Sequence, residues 1–104
     1  MMLLTKENRR ALPPLYSSEN SKTEPEAVVK FFDPGGSWTW YATEFDGDDL
    51  FWGLVDGHEA EYGYFRLSEL MAVRNRLGLG VERDRHFRPE SLAALKDAAN
   101  ERRL

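Results

Sequence analysis

The sequence predicts an α+β domain: a four-stranded antiparallel meander with two helices from its C-terminal half packed on one face, and a short N-terminal helix. Three observations carry this. Two aromatic-rich runs, Trp38 to Phe45 and Leu50 to Val55, flank Asp46-Gly47, a dipeptide that marks a tight turn between antiparallel strands. Leu70, Val73 and Leu77, and later Leu92, Leu95 and Ala99, recur at helical spacing. A chain of 104 residues with no cysteine and no long linker forms one domain, residues 1–104, and buries roughly 60 to 70% of its unfolded surface without staples.

In chain order, Thr5 is placed to cap a short helix over Lys6 to Leu12. Pro13-Pro14 ends it, because proline lacks an amide hydrogen and restricts the residue before it. Leu15 to Glu26 is rich in Ser, Glu, Asn, Lys and Pro and reads as a surface loop. Ala27 to Asp33 is β-branched and aromatic and makes the first strand, turned back by Pro34-Gly35-Gly36-Ser37. The hairpin follows, and after Asp56-Gly57-His58 a fourth strand covers Glu61 to Leu67. Ser68 is the expected N-cap of a helix over 68–77, stopped by Gly78. Val81 to Phe87 is expected to be extended, and Pro89 to open a last helix over 89–102.

The hairpin is apolar on both parities. Trp40 and Ala42 alternate against Tyr41 and Phe45, and Leu50, Trp52 and Leu54 alternate against Phe51 and Val55. Such strands are covered on both faces, or covered on one and sticky on the other. The register stays open, since the length of the loop decides the cross-strand partners of Trp40 and Trp52. With both helices on one face, the other is either exposed or closed by an N-terminal lid of Leu4, Leu12, Leu15 and Tyr16.

The net charge of −4 is partitioned. Residues 24–62 carry ten acids against Lys30, a net −9, between segments of +2 and +3. An acidic, aromatic hairpin therefore sits in a mildly basic frame. The absence of cysteine removes disulfides, thiol nucleophiles and thiolate metal sites. The opening Met1-Met2-Leu3-Leu4 meets charge at Lys6, so no signal peptide, membrane span or membrane partner is expected and the protein is expected to be cytoplasmic.

Chemistry-bearing groups are sparse. Asp46, Asp48 and Asp49, near Glu44 and Asp56, are the densest oxygens, but they lack the alternating spacing and closing glutamate of a calcium loop, and aspartate and glycine serve turns. Glu82, Asp84 and His86 would line one face of an extended segment and could serve a small metal-dependent hydrolase, while the mixed charges there also suit an edge strand protected from aggregation. His58 reads as a solvated turn residue. Leu77-Gly78-Leu79-Gly80 lacks the strand and helix that a phosphate-binding loop needs. No nucleophile, base and orienting group can be placed together, so no catalytic residue, metal or cofactor is assigned and the protein is expected not to be an enzyme.

Arg66, Arg74, Arg76, Arg83, Arg85 and Arg88 could form a nucleic-acid face, but the aromatics lie mostly in the acidic segment. The preferred reading is a binding surface formed by Trp38, Trp40, Trp52, Asp46, Asp48 and Asp49, taking a protein partner or a second copy.

The runs LLTKENRRALPPLYS, VVKFFDP, WTWYATEFDGDDLFWGLVDG and EYGYFRLSEL resemble the family catalogued as domain of unknown function 2958, over nearly the whole chain. The resemblance implies a small accessory protein of bacteria, phages and plasmids, in a mobile-element setting. It implies no catalytic or binding residue.

Overall fold

The computed structural model describes residues 2–104, so of the opening run only Met1 lies outside. The chain runs α1 (Lys6–Ala11), a 3-10 turn (Ser17–Asn20), β1 (Glu26–Ala27), β2 (Val29–Phe32), β3 (Thr39–Phe45), β4 (Leu50–Asp56), β5 (Ala60–Arg66), α2 (Leu67–Ala72), β6 (Glu82–Arg83), β7 (Glu90–Ser91) and α3 (Leu92–Arg102). The class is α+β, and β2 to β5 form the expected antiparallel meander. The main sheet has five strands rather than four, in the order β5-β4-β3-β2-β6, and β1 pairs with β7 in a separate ribbon.

The fifth strand comes from the charged segment after the second helix. Arg83 pairs with Phe31 and Glu82 with Phe32. The expected extension over Val81 to Phe87 stops there, because the Asp84 carboxylate accepts the His86 amide and Phe87 N–H donates to Asp84 C=O, closing a turn. The expected first strand breaks at Val28, so that Glu26 and Ala27 peel away to pair with Ser91 and Glu90.

Thr39–Phe45 and Leu50–Asp56 pair as expected. The register joins Trp40 to Val55, Ala42 to Gly53, Glu44 to Trp52 and Phe45 to Phe51, with a bulge between Ala42 and Glu44. The bulge reverses parity: Phe45 points to the side of Trp40, not of Tyr41. Gly53 is required there, since a Cβ would stand 1.9 Å from the Tyr41 carbonyl oxygen.

Each face has its own core. On one, Phe31, Trp40, Ala42, Phe45, Phe51 and Phe65 pack with Leu67 and Leu70 of α2 and with Leu4 and Leu12. On the other, Ala27, Tyr41, Leu54 and Ala60 pack with Leu92, Leu95 and Ala99 of α3. The helices therefore lie on opposite faces, correcting the one-face expectation. The N-terminal segment does act as a lid through Leu4 and Leu12, but it shares α2's face, while Tyr16 is exposed. The connection explains this: β5 runs directly into α2, with Leu67 N–H still donating to Asp49 C=O, and the chain then passes the β6 edge before α3 begins.

The helices are also shorter than expected. α1 is capped by Thr5, whose hydroxyl accepts the Asn8 amide. α2 covers Leu67–Ala72, not 68–77, with Arg66 rather than Ser68 at the N-cap. Its periodic continuation fails at Asn75, whose side-chain oxygen accepts the Leu77 and Leu79 amides. Gly78, at φ +76, completes that turn and leaves Leu77 76% exposed. α3 starts at Leu92, with the Ser91 hydroxyl accepting the Ala94 amide. Arg102 and Arg103 anchor its far end on the buried Asp56 carboxylate at 3.0 and 2.6 Å. No helix among the described residues is long and apolar enough to cross a membrane.

Candidate functional site

β5 is an edge strand of seven residues, and among the described residues no strand pairs with its outer side. In an antiparallel ladder, bonded pairs recur at every second residue. Since Leu67 N–H donates to Asp49 C=O, the bonded pairs continue through Phe51–Phe65 and Gly53–Gly63. Tyr62 and Tyr64 consequently direct their N–H and C=O groups outward. Their side chains stand on the α3 face, 44% and 52% exposed, and a Cβ at Gly63 would meet nothing within 4 Å.

This edge carries an aromatic strip. Trp52, half-buried on β4, stacks on Tyr62 at 6.0 Å, and Lys96 of α3 places its ammonium 4.4 Å from the Tyr62 ring centre. At the end of the strip, Tyr16, Trp52 and Tyr64 enclose a cavity of about 120 Å³ with Glu19, Glu44 and Ser18. The neighbouring Tyr16 side chain raises the Tyr64 hydroxyl above its ordinary pKa.

The bulge in β3 builds that cavity. It sets Glu44 opposite Trp52, on the strip's face, where the residue is only 3% exposed. Glu44 accepts the Tyr16 and Ser18 amides, each at 2.8 Å, and so ties the N-terminal strap across the end of β3. Phe45 N–H donates to Pro13 C=O in the same strap. Tyr16 is held at φ 70, the left-handed region that a bulky side chain occupies only when its surroundings impose it.

Of the six residues read from the sequence as a binding surface, the structure brings one to this strip, Trp52. Trp40 is core, 8% exposed. Trp38 is half-buried, packed against Trp40 at 5.9 Å and edge-on to His58 at 5.3 Å. Asp46 is engaged by its own turn, accepting the amides of Asp48, Asp49 and Leu50, which hold its carboxyl below the usual range. Asp49 accepts the Ser68 hydroxyl and amide, which lower it likewise. Asp48 is exposed at the hairpin tip. Sequence reasoning did not assign Tyr62, Glu19 or Glu44. The signal was present in Tyr62-Gly63-Tyr64, two aromatics of one parity about a glycine.

The arginines do not converge. Arg66 lies 3.8 Å from Asp49, Arg74 donates to the carbonyls of Met71 and Val73, and Arg83 to those of Met2 and Leu3. Arg76, Arg85 and Arg88 are exposed, but Arg85 and Arg88 follow β6, four strand spacings or roughly 19 Å from the aromatic edge. The turn at Asp84 removes the common face expected of Glu82, Asp84 and His86, and Asp84 is 3.6 Å from Lys30. Among the described residues no three His, Asp or Glu side chains are arranged to hold a metal. A concavity of about 600 Å³ between α2 and the N-terminal segment is lined mostly by apolar side chains, with Arg9, Arg74 and Glu82 among them. Its two guanidiniums are committed, Arg74 as above and Arg9 over the Phe45 ring at 5.4 Å.

No curated protein and no solved structure matches the chain. A family model described as protein of unknown function (DUF2958) matches residues 3–103, nearly the whole chain, and the protein belongs to that family.

Proposed function

We propose that the protein is a non-catalytic, cytoplasmic accessory module that binds another protein by accepting an extended segment along β5. The observation that carries this reading is an edge strand whose outer side no other strand of the described residues pairs, presenting outward backbone groups together with the exposed rings of Tyr62 and Tyr64. Edge strands of soluble proteins are usually short, charged or bulged, because a long regular edge invites pairing. β5 is seven residues with an unbroken register to β4 and, between Glu61 and Arg66, no charge. Strand addition supplies main-chain bonds for affinity and alternate side-chain pockets for specificity. A mobile-element setting is part of this proposal and rests on what the family resemblance implies.

Capture from host lysate with the wild-type chain and a Tyr62→Ser variant tests the reading. Tyr62 is exposed, so its thermal midpoint should hold while capture is lost. Capture by the wild type should survive nuclease and fall only modestly with salt. Nuclease-sensitive capture that weakens steeply with salt would favour the rival class, nucleic-acid binding through Arg76, Arg85 and Arg88.

A further inference from the structure

We propose that the cavity between Tyr16, Trp52 and Tyr64 is a cage for the ammonium end of a lysine side chain from the partner protein, with Glu19 and Glu44 supplying the countercharge. The inference rests on the strand-edge reading, since the cage opens beside β5. Size decides the class of occupant. Pockets for metabolites run to roughly 300 Å³ and above, whereas about 120 Å³ holds the end of one side chain.

The walls decide its charge. Three aromatic residues line it, and the face of an aromatic ring attracts a cation, most strongly when the site is partly desolvated. Glu44 adds a buried carboxylate whose hydrogen bonds come from uncharged donors, the Tyr16 and Ser18 amides at 2.8 Å and the Ser17 hydroxyl at 3.5 Å, and no ion pair engages it among the described residues. A buried carboxylate is ordinarily matched by a cation. One position along the strip, the same surface already receives a cation, Lys96 over Tyr62. The cage repeats that arrangement with more rings, two carboxylates and no lysine of its own among the described residues. Tyr16 reaches it through a left-handed backbone, and Glu44 is the group that holds that backbone in place. A slender ammonium suits the small volume better than a planar guanidinium, which needs room for its fork.

NMR titration of the whole chain with an acetylated, amidated Gly-Gly-Lys-Gly-Gly peptide tests this. The Trp52 indole resonance should shift and saturate with a Kd on the order of millimolar. A matched norleucine peptide, the same length without charge, should leave it unmoved. Tyr64→Ala should weaken binding about tenfold by removing one ring. Glu19→Gln, an exposed and shape-preserving change, should weaken it about threefold with no change in thermal midpoint. Equal response to norleucine, equal or tighter binding of the same peptide with arginine in place of lysine, or no response at tens of millimolar overturns the proposal. If the lysine peptide fails while Tyr62→Ser still abolishes capture, the cage falls and the strand-edge reading stands.

Discussion

Thr43, the bulged residue of β3, is 2% exposed, and its hydroxyl has no hydrogen-bond partner among the described residues. An unpaired buried hydroxyl loses its water without compensation, a penalty of about 1 to 3 kcal/mol. Thr43→Val keeps the shape and removes the oxygen, so the thermal midpoint should rise by about 4 °C or more, measured by calorimetry. Asp46 works in the opposite sense. Amides of Leu50, Asp48 and Asp49 favour its charged form and hold the folded pKa below the ordinary 3.8. Its contribution is therefore complete at neutral pH and is lost as pH falls from 3.8 through the folded value. Asp46→Ala should lower the midpoint at pH 7, and the gap to wild type should close in strong acid. A gap that persists at the lowest pH would mean that turn geometry, not charge, sets the effect. Asp46-Gly47 was legible as a turn from sequence. The use of Asp46 to close that turn, rather than to face a partner, was not, because the capture of three amides depends on how the loop folds back.

Among the elements, the central hairpin was readable because its two signals agree, a turn dipeptide and period-two apolar runs. α2 was not readable beyond Ala72. Val73 and Leu77 continue the helical spacing, yet the Asn75 side chain takes the Leu77 and Leu79 amides and offers the backbone a tighter alternative. The short β6 was legible as part of an extended, charged segment suited to a sheet edge, but its joining the main sheet as a fifth strand was not, because two residues carry no periodicity and only β2 beside them makes them a strand. The hairpin itself depends on one close approach. Gly53 faces Ala42 next to the bulge, and any Cβ there meets the Tyr41 carbonyl. Gly53→Ala should force the two backbones apart at the centre of the sheet and destabilise by about 3 kcal/mol or more. Gly63→Ala, one strand over at an open position, should change stability little. Urea denaturation of the two variants checks the contrast, and equal losses would show that the close approach to the Tyr41 carbonyl does not set the difference.

Across the whole molecule, apolar side chains on both parities left open whether both faces are covered or one stays exposed; both are covered, by helices on opposite faces and not on one as expected. The bulge hid the answer by moving Phe45 to Trp40's side, and the crossing past β6 carried α3 to the other side. β4 is where the two cores meet. Phe51 lies in one, between Phe45 at 4.5 Å and Phe65 at 5.1 Å, and Leu54 lies in the other with Leu92 and Leu95. Three residues of extended strand set them about 10 Å apart, pointing to opposite sides. Phe51→Leu and Leu54→Val should each cost about 1 to 2 kcal/mol by opening a void in its own core. Because the two voids share no neighbouring side chains, the double variant should lose the sum to within about 0.5 kcal/mol, in a single cooperative transition. The transition should be single because both cores hang on the same strand, so neither face can melt and leave the other standing. A coupling well above that value would show that the backbone of β4 transmits repacking from one face to the other. Two separate transitions would show that α3 and its face can open while the phenylalanine core stays folded.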